Sequence, residues 1–103
     1  MRHVFHPEAA AEFEEAVRFY RERGRRLGQR FAAEVRVAIR KVLETPERWR
    51  VLEGDVRRCL VRVFPYLVIY TAEPDYILII AVAHGSREPG YWRHRLGTKP
   101  PPR

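Results

Sequence analysis

The chain contains a single cysteine, Cys59, and this scarcity excludes two kinds of stabilising element. One thiol cannot form a disulfide within the chain, and a metal site built on several cysteines is equally excluded. Cys59 lies in an apolar stretch, so we expect it to be a buried hydrophobic residue. No motif for a metal or another cofactor is present, and we expect the protein to need neither.

Long apolar runs are also missing from the sequence. No run approaches the roughly 20 residues that a membrane-spanning helix needs. The first six residues lack the apolar core of a secretion signal. We therefore expect a cytoplasmic protein that makes no membrane contact.

Lysine is rare, although the chain is strongly basic. The formal net charge is +7, and only two of the twenty basic residues are lysines, Lys41 and Lys99. The arginine guanidinium makes planar, bidentate contacts with phosphate and carboxylate groups that lysine cannot make. A positive excess of this kind favours acidic partners, either a polyanion or an acidic protein surface.

The first half of the sequence predicts two helices. Pro7 is suited to the first helical position, and apolar residues recur at helical spacing until Gly24, which ends the helix. The opposite, polar side of this helix contains Glu12, Glu15, Arg18 and Arg21. The same spacing returns from Leu27 and is closed by Thr45 and Pro46. A connection of about three residues predicts an antiparallel helical hairpin.

The second half predicts β-structure, because it is rich in β-branched and aromatic residues separated by turn residues. The short connectors predict antiparallel neighbours. The last strand is apolar almost throughout, so we expect it to be central in the sheet. A short alternating segment near the N-terminus predicts an edge strand. The predicted strands are residues 2–5, 51–52, 57–64, 67–72 and 76–83.

Alternation along residues 57–64 assigns side chains to the two faces of the sheet. Cys59, Val61 and Val63 share one face, and Arg58, Leu60, Arg62 and Phe64 share the other. Packing the first set against the helices leaves Arg58 and Arg62 on an open, basic face. This face is a candidate surface for phosphate or for an acidic partner.

Together these elements predict a single α+β domain over residues 1–96. The helical hairpin packs on one face of a twisted, mainly antiparallel sheet, and a short helical segment follows the last strand. Residues 97–103 contain three consecutive prolines and are expected to form a flexible tail.

The last predicted strand runs directly into a cluster of chemically versatile side chains. Residues 84–95 contain two histidines, three arginines, a tyrosine and a tryptophan. Cations, imidazoles and stacking surfaces at the end of a rigid sheet suit a polyanion such as RNA or DNA. A basic nucleic-acid-binding module without catalytic activity is therefore one hypothesis for the function.

Two stretches of the chain resemble the RelE/ParE superfamily of bacterial toxins. They are residues 57–70, which contain Phe64-Pro65-Tyr66, and residues 79–87, which end in His84-Gly85-Ser86-Arg87. The resemblance spans residues 3–95 and implies a growth-inhibiting toxin of a type II toxin–antitoxin module. It also implies neutralisation by a cognate antitoxin in a hetero-oligomer. We expect an acidic and apolar antitoxin segment to lie across the hairpin and the basic face.

The resemblance leaves two mechanisms open. RelE-like members cut mRNA in the ribosomal A site without a metal, whereas ParE-like members poison DNA gyrase. Metal-free RNA cleavage needs activation of the 2′-hydroxyl, cations for the charged transition state and a proton donor for the leaving oxygen. This chain has Leu67 where RelE-like nucleases often have a catalytic arginine. An inactive toxin homologue is a further alternative.

Specific residues are candidates for each role. The candidate catalytic residues are His84, Arg87, Arg62 and Tyr91. The candidate phosphate-binding residues are Arg58, Arg62, Arg87, Arg93 and Arg95. Imidazole is the side chain best suited to proton transfer near neutral pH, which favours His84 over Tyr91 in that role.

Structural roles are open for the same side chains. His84 is also placed to bond the backbone at the strand end, and Arg87 to form a salt bridge with Glu88. Tyr91 and Trp92 are also suited to anchoring the C-terminal segment on the core. Arg58 and Arg62 equally fit a solvated sheet face that receives the antitoxin.

Overall fold

A computed structural model describes residues 1–98 and places two helices against one face of a five-stranded sheet. The elements in chain order are β1 (Arg2–Phe5), α1 (Pro7–Arg23), α2 (Arg25–Glu44), β2 (Arg50–Glu53), β3 (Val56–Leu60), β4 (Tyr66–Ala72), β5 (Tyr76–His84) and a short 3-10 helix η1 (Arg93–Thr98). This architecture confirms the predicted α+β fold. Of the predicted tail, residues 97 and 98 belong to η1 and the rest lies outside the described residues. None of the helices in residues 1–98 has the length and apolar character needed to span a membrane.

Helix α1 begins where the sequence predicts, because Pro7 occupies the first helical position and His6 caps it. Proline lacks an N–H, and the first turn of a helix has no internal partner for one. The backbone N–H of Glu8 donates to Nδ1 of His6 at 3.1 Å. Gly24 ends α1 and immediately precedes α2, so the hairpin connection is one residue long instead of about three.

The two helices approach each other closely at Gly28 of α2. A Cβ atom at this position would lie 2.8 Å from Cβ and 2.9 Å from Cα of Arg21 on α1. Non-bonded carbon atoms do not approach within 3.0 Å, so a side chain at position 28 would force the two helices apart. The spacing of the hairpin therefore depends on the missing side chain at Gly28.

The sheet has the strand order β1-β5-β4-β3-β2. β1 lies at one edge and pairs parallel with β5, whereas every other pair is antiparallel. The edge position of β1 and the internal position of β5 are both confirmed. β5 is buried from Tyr76 to Ala83, which explains why its sequence is apolar almost throughout.

Apolar cores lie on both faces of the sheet. The helix-side core includes Phe31 of α2 and Tyr70 of β4. The second core, on the opposite face, includes Leu78 and Ile80 of β5 and is covered by Trp92, which is 3% exposed. The face predicted to be open is therefore partly covered, because the aliphatic side chains of β4 and β5 on that side need shielding from water.

β3 is shorter than predicted, and the alternation of faces stops where it ends. The strand ends at Leu60, and the chain reverses through the β3–β4 turn, residues 61–65, which is closed by a bond from Val61 N–H to the Tyr66 carbonyl at 2.9 Å. Phe64 is buried in the helix-side core, whereas Val63 is exposed. The faces predicted for Val63 and Phe64 are therefore wrong, since a turn does not follow the two-residue period of a strand.

We predict that Gly28→Ala destabilises the protein by about 1–3 kcal/mol, because the added methyl overpacks the helix crossing against the backbone of Arg21. Alanine has the higher helix propensity, by roughly 1 kcal/mol, so the expected sign is opposite to the propensity effect. Thermal and urea unfolding measure the change. Gln29→Ala, at the exposed next position, is the control and should be near neutral. Equal or greater stability of Gly28→Ala would contradict the close crossing.

Candidate functional site

A β-bulge in β5 decides which face of the sheet His84 occupies. The register between β4 and β5 skips Ile80, so one extra residue enters β5. Ile80 and Ala81 both contribute to the second core, and Val82 returns to the helix-side core. His84 follows on the helix side, where its ring meets the ring of Tyr66 edge-on at 5.2 Å.

The imidazole of His84 is oriented by the residue two positions further on. Nδ1 accepts a hydrogen bond from the Ser86 backbone N–H at 3.0 Å, and it lies 2.7 Å from the Ser86 hydroxyl oxygen. Because Nδ1 accepts an N–H, the neutral ring has its proton on Nε2. Within the described residues Nε2 makes no hydrogen bond, and the side chain is exposed. His84 therefore offers one donor to an incoming molecule.

Arg87 lies beside His84 in the turn that follows β5. Its backbone N–H donates to the His84 carbonyl at 3.1 Å. Its guanidinium carbon lies 3.8 Å from the centroid of the Tyr91 ring, a cation–π arrangement. In residues 1–98 it forms no salt bridge to Glu88 or to another carboxylate. A guanidinium stacked on a ring keeps its edge N–H groups available for an anion.

His84 and Arg87 line two clefts that meet at the end of β5. The helix-side cleft, of about 190 Å³, is also lined by Glu12, Glu15, Phe19 and Tyr66. The sheet-side cleft, of about 320 Å³, is also lined by Glu53, Arg58, Trp92 and Arg93. The two residues therefore stand on a ridge between an acidic cleft and a more basic one.

Glu12 of α1 joins the C-terminal segment to the edge of β5. β1 pairs with β5 only as far as Ile79, so the following part of that edge lacks a strand neighbour. Glu12 Oε1 accepts from the Val82 N–H at 3.0 Å and from Arg95 Nη1 at 2.9 Å. Arg95 Nη1 also donates to the Ile80 carbonyl at 3.0 Å. The ion pair therefore satisfies the backbone groups that another strand would otherwise bond.

Tyr91 is bound to the same carboxylate. Its hydroxyl donates to Glu12 Oε2 at 2.6 Å. Burial, followed by this bond to Glu12, raises the pKa of the Tyr91 hydroxyl. The hydroxyl proton is thus donated to Glu12, and the raised pKa makes this phenol a weaker acid than an ordinary tyrosine. The geometry therefore favours the anchoring role of Tyr91 and Trp92 over proton transfer by Tyr91.

Two of the predicted phosphate-binding arginines are bound to carboxylates. Arg95 is 4% exposed and donates from Nη1 and Nη2 to the two oxygens of Glu12, which favours a structural role. Arg93 donates from Nε and Nη2 to Glu53 at 2.7–3.0 Å. The hydrogen bond from Arg93 lowers the pKa of the Glu53 carboxyl. Glu53 therefore occupies the Nε and Nη2 side of the guanidinium, through which Arg93 would bind a phosphate in a bidentate manner.

The other two predicted arginines lie in different places. Arg58 of β3 is half-buried in the sheet-side cleft, near enough to line it together with His84 and Arg87. Arg62 is exposed on the β3–β4 turn and lines neither cleft. The expectation that Arg62 projects from a strand is wrong, because β3 ends at Leu60.

Glu12 is the residue of this region that sequence reasoning missed. Its helical position predicts the solvent-facing side of α1, yet its side chain is only 17% exposed. Nothing near Glu12 in the sequence shows the contact, since its partner Arg95 is 83 residues away. The one available signal is the number of arginines in the C-terminal segment. If any of them is buried, it needs a carboxylate as partner, and the acidic residues of α1 are candidates.

We predict that Glu12→Ala destabilises the protein by about 3–5 kcal/mol, because it removes the buried carboxylate that accepts two hydrogen bonds from the Arg95 guanidinium. The other carboxylate near Arg95, that of Glu8, is half-exposed and lies 3.6 Å from Nε. Denaturant unfolding measures the loss, and amide exchange at Val82 should accelerate. Glu15→Ala is the matched control, since Glu15 is exposed in the same cleft. Similar effects of the two substitutions would contradict the role assigned to Glu12.

A family comparison bears on the function of this site. A family model described as "ParE toxin of type II toxin-antitoxin system, parDE" matches residues 4–89. The match runs from β1 through the turn after β5 and includes His84 and Arg87. No curated protein matches the chain.

Proposed function

Because the chain belongs to the ParE toxin family of type II toxin–antitoxin systems, we propose that it arrests growth by poisoning DNA gyrase. Membership of the family implies a cognate antitoxin as partner. The proposal adds gyrase as the target of the toxin. The observation that supports this choice is the bond from the Tyr91 hydroxyl to Glu12. Metal-free RNA cleavage would use His84 or Tyr91 for proton transfer, and this bond engages the hydroxyl of Tyr91.

The remaining groups of the site support binding better than RNA cleavage. Leu67 is half-buried at the position where RelE-like nucleases often have a catalytic arginine, and it supplies no charge. Arg62, which would have to replace that arginine, lies away from both clefts. His84 and Arg87 are left as an exposed donor and cation. They are suited to contact the gyrase–DNA complex in the cytoplasm without cleaving a bond themselves.

We predict that the purified protein traps cleaved DNA on gyrase, and that Arg87→Ala weakens this effect at least about tenfold. A charge-assisted hydrogen bond is worth roughly 1.5–3 kcal/mol, which is the origin of that factor. His84→Ala should weaken trapping in the same direction. The assay measures cleaved DNA against toxin concentration, with Glu88→Ala as the exposed neighbouring control.

Other outcomes of this experiment assign other functions. Ribosome-dependent cuts in mRNA that disappear in His84→Ala would identify a RelE-like endoribonuclease. Affinity for nucleic acid with a steep salt dependence and no damage to either target would identify a plain binding module. In cells, gyrase poisoning should stop DNA synthesis before protein synthesis, and the reverse order would contradict it.

An apolar groove beside the helical hairpin is the antitoxin contact that we propose. The groove, of about 340 Å³, has an apolar floor formed by Phe5, Phe13, Ile39 and Leu43. Arg36 and Arg40 line its rim and are exposed one turn apart on α2. This combination fits an amphipathic segment whose apolar residues enter the groove and whose carboxylates meet the two arginines.

We predict that the double substitution Arg36→Glu and Arg40→Glu lowers antitoxin affinity about a hundredfold, roughly 3 kcal/mol, because the rim then repels carboxylates. Titration calorimetry with the product of the adjacent reading frame measures it. Arg25→Glu combined with Arg26→Glu, at two exposed positions of the same helix, is the control with the same net charge. Equal affinities of the double variant and the control would exclude this groove as the contact.

A further inference from the structure

Val63 has a backbone conformation that its side chain disfavours. Its φ angle is 77°, and it is the only non-glycine residue with positive φ in the described part of the chain. The left-handed region is unfavourable for a β-branched residue, and such strain persists only where the surrounding structure enforces it. The same side chain is 64% exposed, so burial in the core does not explain its presence.

Val61 and Phe64 are anchored in the core, and the two residues between them are thereby directed outward. Val61 is buried and bonds through its N–H to the Tyr66 carbonyl at 2.9 Å. The buried ring of Phe64 lies 4.9 Å from the ring of Tyr20 and 5.1 Å from that of Phe31. With both anchors inside the helix-side core, the two residues between them project into solvent.

The projecting residues are unusual for a solvated turn. Leu60 and Val63 are 61% and 64% exposed, and they flank Arg62, which is also exposed. Within the described residues Arg62 forms no ion pair. Glycine or asparagine would relieve the strain at position 63 and suit water better. The aliphatic side chains are therefore not accounted for by folding.

We propose that this tip, defined as Leu60, Arg62 and Val63, is a protein-contact site through which the toxin engages its target. The occupant is a protein surface with an apolar pocket bordered by carboxylates, which would receive Val63 and Leu60 and pair with Arg62. This inference rests on the proposed toxin function, since it assigns the tip to a target. It names a second contact in addition to His84 and Arg87.

The chemistry of the tip favours protein over nucleic acid. Single-stranded nucleic acids are bound by aromatic platforms and cationic grooves, and aliphatic side chains provide neither. Arginine is enriched at protein interfaces, and the core of such an interface is more apolar than the rest of the surface, which agrees with Arg62 near the exposed Leu60 and Val63. The net charge of +7 favours an acidic partner surface.

The position of the tip separates it from the antitoxin groove and links it to the site. The groove is lined by residues of β1, α1 and α2 and by none of the tip residues. On its other side, the turn is bonded to the segment after β5, because the Gly85 N–H donates to the Pro65 carbonyl at 2.8 Å. The tip and the ridge of His84 and Arg87 therefore share one end of the sheet.

The test replaces Val63 with residues that accept the left-handed conformation. In the full-length chain, Val63→Asn and Val63→Gly should keep or raise the melting temperature while weakening gyrase association and growth arrest about tenfold. Val63→Leu keeps an apolar side chain and should retain both gyrase association and growth arrest. Val51→Asn, the same change at another exposed valine, should leave them unaltered. Antitoxin affinity should be unchanged in all four variants.

Three results would overturn the proposal. The first is undiminished growth arrest by Val63→Asn and Val63→Gly. The second is a parallel loss of antitoxin affinity, which would assign the tip to the antitoxin. The third is weakened binding to a protein-free DNA duplex, which would assign it to nucleic acid.

The outcome also distinguishes this proposal from the choice of gyrase. If the wild-type chain arrests growth without binding gyrase, the gyrase assignment fails, and loss of arrest in Val63→Asn still supports the tip. If the wild-type chain arrests no growth, both proposals fall.

Discussion

The buried ion pair between Glu12 and Arg95 is the interaction on which the rest of the structure depends. β1 covers only the first part of the β5 edge, and an uncovered strand edge needs partners for its N–H and carbonyl groups. The pair supplies both, at Val82 and at Ile80. The same carboxylate holds Tyr91, which keeps the C-terminal segment over the second core. One side chain of α1 therefore connects the helical layer, the sheet edge and the last segment of the chain.

This arrangement divides the basic C-terminal segment into two functional parts. Arg95 and Tyr91 maintain the fold, and Arg93 is held by Glu53 at the surface. His84 and Arg87 remain exposed on the ridge between the two clefts. A cluster that looks uniformly suited to a polyanion is therefore mostly occupied by the protein's own carboxylates. Within the described residues, the part of this segment left for an external partner is therefore chiefly His84 and Arg87.

The sequence predicts the elements of this fold better than the contacts between them. Pro7 and Gly24 delimit α1 through local chemistry, and the apolar run of β5 places that strand inside the sheet. The bulge at Ile80 was not predictable, because a register shift is a relation between two strands and leaves no mark in the spacing of one. For the site, His84 and Arg87 do lie together, as their separation of three residues implies. The position of Arg62 depended on where β3 ends, which burial of Phe64 decides.

The parallel pairing of β1 with β5 also has a consequence for synthesis of the protein. Arg2 of β1 pairs with Tyr76 of β5, so β1 is synthesised well before the strand with which it pairs. The helical hairpin has only local contacts to form and is able to fold early, whereas the sheet must close a long loop first. During that interval the apolar side of the hairpin has no sheet to cover it. On the ribosome, the chain therefore displays its helices well before the complete sheet, and with it the ridge, exists.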